Sequence, residues 1–319
     1  MSSRFRDWLV AATLIAAALM LAAFAPPAAA AAPPERDAAV APPDPEAAAA
    51  PPDSNAAAAP LRVCADPDNL PYSRADGAGF EIAIARVLAE ELRRPLEVTW
   101  LPQARGFVRK SLGEGLCDAL LGVPAGYGRV LATRPYYRST YVLVTRADAR
   151  APLAPLDDAR LASLAIGVQL VGDDPSTTPP GLVLARHGAV EHVVGYPVFG
   201  ATPSAERATA DVAAGRLDAA ILWGPQAGWF AAHSPVALHV SPASPPVADA
   251  DLRFDFAIAM GVRRGDEALR AALDGALARR ARDIDAILDA WSVPRVPLDV
   301  HADGARIAAP VATAAGARR

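Results

Sequence analysis

Two segments one hundred positions apart carry nearly the same pattern. Gly115-Leu-Cys-Asp-Ala-Leu-Leu-Gly-Val-Pro124 and Gly215-Arg-Leu-Asp-Ala-Ala-Ile-Leu-Trp-Gly-Pro225 each leave a glycine, pass Asp-Ala, run through apolar residues and end at proline. A short, nearly continuous apolar run bounded by such breakers is a strand covered on both faces. Its recurrence at one position in two successive stretches predicts a single supersecondary unit used twice, and so two similar α/β lobes. Chance similarity in an alanine-rich chain is the competing explanation; the matched position within each stretch weighs against it.

The rest of residues 61–300 agrees with that plan. Arg62–Asp66 is a first strand, stopped by Pro67 and Pro71. Phe80, Ile84, Val87, Leu88 and Leu92 share one helical face after Gly79, and Arg93-Arg-Pro95 ends that helix. Leu96–Trp100 is a second strand, Arg105–Leu112 a short helix ended by Gly113 and Gly115, and Asp118–Val123 the third strand. Thr140–Thr145 leaves the first lobe as a strand. The second stretch repeats the alternation: helix Leu156–Leu164, strand Ala165–Gln169, loop Thr177–Gly181 and a helix to His187. Strand Glu191–Phe199, a helix capped by Ser204, strand Leu217–Leu222, helix Gln226–Ala232 and strand Val236–Val240 follow. Phe254–Val262 reads as a strand returning to the first lobe. Two closing helices carry Leu269, Leu273 and Leu277, then Ile284, Leu288 and Trp291. The expected lobes are residues 61–146 with 256–300, and 147–255, joined by two crossing strands around a cleft.

The ends are different in kind. Residues 1–32 read as a secretory signal peptide, with Arg4 and Arg6 before the apolar run Trp8–Phe24 and small residues at the cleavage region. The alternative, a membrane anchor, needs a longer apolar run. Residues 33–60 are an Ala/Pro-rich tether and 301–319 a similar loose tail. Export places the chain in the periplasm, an oxidising compartment, so its two cysteines, Cys64 and Cys117, point to one disulfide; the alternative is two buried thiols. A net charge of −4, with no basic stripe interleaved with aromatics, gives no indication of nucleic-acid binding.

Three motifs in the first stretch are more specific. They are Arg62-Val-Cys-Ala-Asp-Pro-Asp-Asn-Leu-Pro-Tyr72, Trp100-Leu-Pro-Gln-Ala-Arg-Gly-Phe-Val-Arg109, and Gly122 through Thr133-Arg-Pro-Tyr-Tyr-Arg-Ser-Thr-Tyr141. Together they resemble the quinoprotein dehydrogenase-associated binding proteins, the MxaJ/XoxJ family of periplasmic methanol oxidation, within the bilobate type II periplasmic-binding-protein fold. The resemblance is specific in the first lobe and rests on the plan and the Gly215–Pro225 segment in the second. It implies a monomeric, non-catalytic accessory role beside a pyrroloquinoline-quinone (PQQ)-dependent methanol or alcohol dehydrogenase and its cytochrome c, with no cofactor of its own. In this fold the first and third strands of a lobe lie side by side, which brings Cys64 to Cys117.

Amino-acid-binding members of the wider fold anchor a carboxylate with a Thr and an Arg three apart; the matching positions here are Gly126 and Arg129. Where those members hold the ammonium with an acid, this chain has Trp223, and where their second-lobe helix opens it has Val171-Gly-Asp-Asp174. The expected partner- or ligand-binding cleft is instead aromatic and cationic. It comprises Asp66, Asn69, Tyr72, Arg105, Phe107, Arg109, Tyr127, Arg129, Tyr136, Arg138 and Trp223. Tyr and Arg are the residues enriched at protein–protein hot spots, though aromatics in a small lobe also serve as packing. Catalysis finds no support. His187, His192, His233, His239 and His301 show no metal-ligand spacing, no Ser sits in a nucleophile elbow, and Asp118 and Asp218 occupy matching strand starts, a structural sign. The rival function is a transporter's solute receptor for an apolar or aromatic organic ligand.

Overall fold

A computed structural model describes residues 59–149, 156, 159–171, 178–189, 191–200 and 202–298. The expected signal peptide, nearly all of the tether, the tail and Asp173-Asp174 lie outside the described residues.

The first half contains β1 (Leu61–Ala65), the small hairpin β2 (Asp68–Asn69) and β3 (Ser73–Arg74), α1 (Phe80–Glu91), β4 (Leu96–Trp100), α2 (Phe107–Lys110), β5 (Ala119–Pro124), β6 (Leu131–Ala132) and β7 (Tyr137–Arg146). Then come β8 (Ile166–Leu170), α3 (Pro179–Arg186), β9 (Val193–Pro197), α4 (Ser204–Ala213), β10 (Ala219–Trp223), α5 (Gly224–Ala232) and β11 (Leu238–Pro242). The chain closes with β12 (Asp255–Val262), α6 (Glu267–Arg279) and α7 (Ala281–Ala290).

The two lobes repeat one sheet order. In the first, β4, β1 and β5 are parallel neighbours and β12 runs antiparallel beside β5; in the second, β9, β8 and β10 are parallel and β7 runs antiparallel beside β10. The sequence echo falls on equivalent joints. The Asp118 N–H donates to the Arg62 carbonyl at 2.8 Å, and the Asp218 N–H donates to the Ala165 carbonyl at 2.9 Å. Each aspartate side chain ties the same joint: Asp118 accepts from Arg62 and Arg263, and Asp218 Oδ2 accepts from the Ala165 N–H. Both are structural acids.

β7 is shared between the sheets. Its first residues, Tyr137–Thr140, pair with Ile258–Asp255 of β12, and Tyr141–Thr145 pair with Trp223–Ala219 of β10. β12 then continues along β5. These are the two crossing strands. Buried Phe80, Ile84, Ala85 and Leu88, at helical spacing, press α1 onto Leu61, Val63 and Met260, while Leu273, Ile284 and Leu288 seal the same core from α6 and α7. Asp266 caps α6 by accepting from the Leu269 N–H. Cys64 and Cys117 are bonded, with Cα atoms 5.5 Å apart across the β1–β5 neighbourhood.

Several elements depart from their sequence expectations. β7 starts at Tyr137, three residues early, because Tyr137–Thr140 are buried between the lobes rather than forming a loop. Ser204 is the first residue of α4 rather than its cap, and its hydroxyl instead accepts from Gln169. α2 shrinks to four residues, Phe107–Lys110; Phe107 and Val108 pack against the core without being fully buried. Within the expected helix Leu156–Leu164 there is a 3₁₀ turn, Ala159–Ser163. α3 begins inside the expected loop, at Pro179, since proline suits a first helical position. β9 and β11 are shorter or shifted, at Val193–Pro197 and Leu238–Pro242. Among the described residues no helix is long and apolar enough to cross a membrane.

Candidate functional site

The C-terminal ends of the parallel strands in both lobes meet at a cavity of about 350 Å³. Its first-lobe wall is Asp66, Asp68, Asn69, Tyr72, Glu81, Gln103 and Tyr137; its second-lobe wall is Val198, Phe199, Gly200, Pro203, Trp223 and Gln226.

The loop after β1 is stitched to the loop after β4. Asp66 accepts from the N–H groups of Asp68 and Gln103, and the Asn69 amide donates to Gln103 Oε1 at 2.9 Å. Tyr72 packs on Phe80 at 5.2 Å between ring centres. Burial and the neighbouring Glu81 push its phenol well above the ordinary range, an effect that the side chain of Trp223 from the other lobe partly opposes.

Glu81 sits in the first turn of α1, where the helix N-terminus favours an acid. Burial nevertheless pushes its carboxyl up to about 8, leaving it largely protonated at neutral pH. The side chain lies over Gly122, where a Cβ would stand 2.2 Å from Glu81 Oε1 and the backbone has φ +69°. The left-handed backbone at Gly122 requires glycine, and the Glu81 carboxyl fills the space a Cβ would take.

On the second lobe, Gln169 is 2% exposed and organises the wall. Its Oε1 accepts from the Trp223 N–H at 2.7 Å, and its Nε2 donates to Ser204 Oγ at 2.8 Å and Gln226 Oε1 at 2.9 Å. Trp223 lies edge-on to Tyr141 and Phe256, with ring centres at 5.5 and 5.8 Å. Its partly buried indole lines the cavity.

The sequence-expected residues divide three ways. Asp66, Asn69, Tyr72 and Trp223 reach the cavity. Arg105, Phe107, Arg109, Tyr127 and Arg129 line an adjoining groove of about 750 Å³ that shares Gln103, Leu121, Gly122 and Phe199 with the cavity. Tyr136 and Arg138 line neither. Tyr136 packs on Tyr137 at 5.1 Å and accepts weakly from the Gly122 N–H, while Arg138 is buried and pairs with Asp255 between the crossing strands. Glu81, Gln169 and Gln226 escaped the sequence reading. The one available signal was an acid beside Phe80 in the first turn of α1.

The charge layout restricts the chemistry. Asp66, Asp68 and Glu81 face the cavity, and no Lys or Arg among the described residues lines it. Arg129 lines the groove rather than the cavity. Among the described residues, no three His, Cys, Asp or Glu side chains are arranged to hold a metal ion.

Residues 61–294 match the family model for bacterial extracellular solute-binding proteins, family 3. The chain is similar to Protein MoxJ of Methylorubrum extorquens, 33% identical over 75% of this chain and 82% of the relative. It is similar to Protein MoxJ of Paracoccus denitrificans at 31% identity, over 74% of this chain and 89% of the relative. The crystal structure of the periplasmic binding protein XoxJ from Methylobacterium extorquens AM1 superposes with a TM-score of 0.63 at 38% identity, covering 75% of this chain and all of the other. The repeated lobes, the crossing strands and these matches place the chain in family 3 of the bacterial extracellular solute-binding proteins, as a non-enzymatic binding protein of the MxaJ/XoxJ type.

Proposed function

We propose that this protein is an exported periplasmic accessory protein of a PQQ-dependent methanol or alcohol dehydrogenase. It binds the dehydrogenase to assist its maturation, its activation or its electron transfer to cytochrome c. The observation that carries the reading is the cavity's charge. A zwitterionic amino acid needs a cation for its carboxylate, and the described wall offers no Lys or Arg, only Asp66, Asp68 and the protonated Glu81. The likeness to MoxJ and XoxJ proteins supports the same direction. The aromatic and arginine side chains at Phe107, Tyr127, Arg105 and Arg129 suit a protein surface better than a small solute.

The test is affinity capture from the periplasm of alcohol-grown cells, with the tagged full chain as bait. Enrichment of the dehydrogenase, with or without its cytochrome c, is the expected result. Capture of a transporter permease in its place overturns the reading in favour of a solute receptor.

A further inference from the structure

We infer that the groove beside the cavity is a docking channel for an acidic polypeptide segment carrying one apolar or aromatic anchor. Assigning that segment to the dehydrogenase rests on the reading above; the chemistry of the groove does not.

Exposed cations and partly buried aromatic side chains line the groove. Arg105, Arg109, Lys110 and Arg129 line it together with Phe107 and Tyr127. All four cations are exposed, and none makes an ion pair or side-chain hydrogen bond with a described residue. Arg109 and Arg129 also line a second hollow of about 460 Å³, which extends the cationic strip to Arg264. No acid among the described residues lines either hollow. Many arginines elsewhere are paired with acids, as in Arg146–Asp148, Arg186–Asp249 and Arg295–Asp285. A segregated, unpaired strip on a protein of net charge −4 attracts an anionic partner over a distance of the Debye length and sets its orientation.

Shape and lining decide which anion. A lipid surface is planar and meets a protruding basic face, whereas this strip is concave. Phe199, 43% exposed, comes from the second lobe to close the end shared with the cavity. The partly buried aromatic side chains Phe107 and Tyr127, packed on the core beside exposed cations, suit anchoring of an apolar side chain. A polypeptide supplies both parts.

The test uses the full chain and two probes: a short peptide of glutamates around one phenylalanine, and the same peptide with lysines for glutamates. Fluorescence titration is expected to show binding of the acidic peptide only, weakening as salt rises. The double variant Arg105→Glu with Arg129→Glu should bind it about tenfold more weakly or worse, with an unchanged melting temperature because both side chains are exposed. Phe107→Ala should weaken it as well, with the salt dependence retained. Equal binding of both peptides, no loss on charge reversal, or binding to anionic phospholipid vesicles with none to the peptide would overturn the inference. Purified dehydrogenase titrated in parallel separates the two claims. Dehydrogenase binding that is indifferent to charge reversal removes the groove and leaves the accessory role. Groove-dependent peptide binding with no dehydrogenase binding does the reverse.

Discussion

At the scale of residues, a carboxyl group kept protonated between two lobes has a thermodynamic signature. Glu81 has a folded value of about 8 against an ordinary 4.5. The native protein therefore holds a proton that the unfolded chain releases, and stability from this group falls as pH rises from about 4.5 to 8. Glu81→Gln removes that dependence. Relative to the unsubstituted protein, the variant should gain stability between pH 5 and pH 8, by a few kcal/mol at most. Urea unfolding at the two pH values reads it, and a difference that does not change with pH contradicts the assignment. The Cys64–Cys117 bond spans a sequence separation of 53. Loop-closure entropy puts its contribution at about 4 kcal/mol or less, so a double Cys→Ala variant should unfold at distinctly lower urea. An unchanged midpoint would show that the bond constrains little. Tyr72, Trp223 and the arginines could be found in the sequence because their types are unusual at strand ends. Glu81 and Gln169 could not. What makes them matter is enclosure by Gly122, Trp223 and Ser204, all more than thirty residues distant in the chain.

At the scale of elements, the segment after α7 returns to the second lobe and is held by α5. A Cβ on Gly228 would meet the Ser292 carbonyl oxygen at 1.9 Å, and one on Gly224 would meet the Thr140 carbonyl oxygen at 2.6 Å. Trp229 stacks on Trp291 at 4.4 Å, and Ser139 Oγ donates to the Pro294 carbonyl at 2.6 Å. Gly228→Ala should therefore cost about 2 kcal/mol or more, since backbone rather than a movable side chain must yield. Gly188→Ala, at φ +74° with open space around it, should cost only the local backbone strain of about 1 kcal/mol. Thermal unfolding of both variants compares them; equal losses would mean that the α5 contact is not tight. The parallel strands and α1 were legible because their apolar spacing is set by burial on known faces. The true length of β7 and the shortness of α2 were not. One depends on burial between lobes; in the other, Phe107 and Val108 pack on the core without being fully buried.

At the scale of the whole molecule, opposite charges are kept in separate compartments. The interlobe cavity holds acids without cations, and the neighbouring groove holds cations without acids, among the described residues. The two lobes could be inferred from one repeated strand, but this division could not, because it depends on which way loops from three strand ends face. It predicts that standard amino acids bind no tighter than millimolar, in contrast to the solute receptors that share the fold. The central claim is that the occupant is a protein. Isothermal titration of the full chain with purified PQQ-dependent dehydrogenase, and separately with each standard amino acid, tests it most directly. The account predicts saturable heat from the dehydrogenase and none from the amino acids at micromolar concentration; micromolar binding of an amino acid, with no heat from the dehydrogenase, would contradict it.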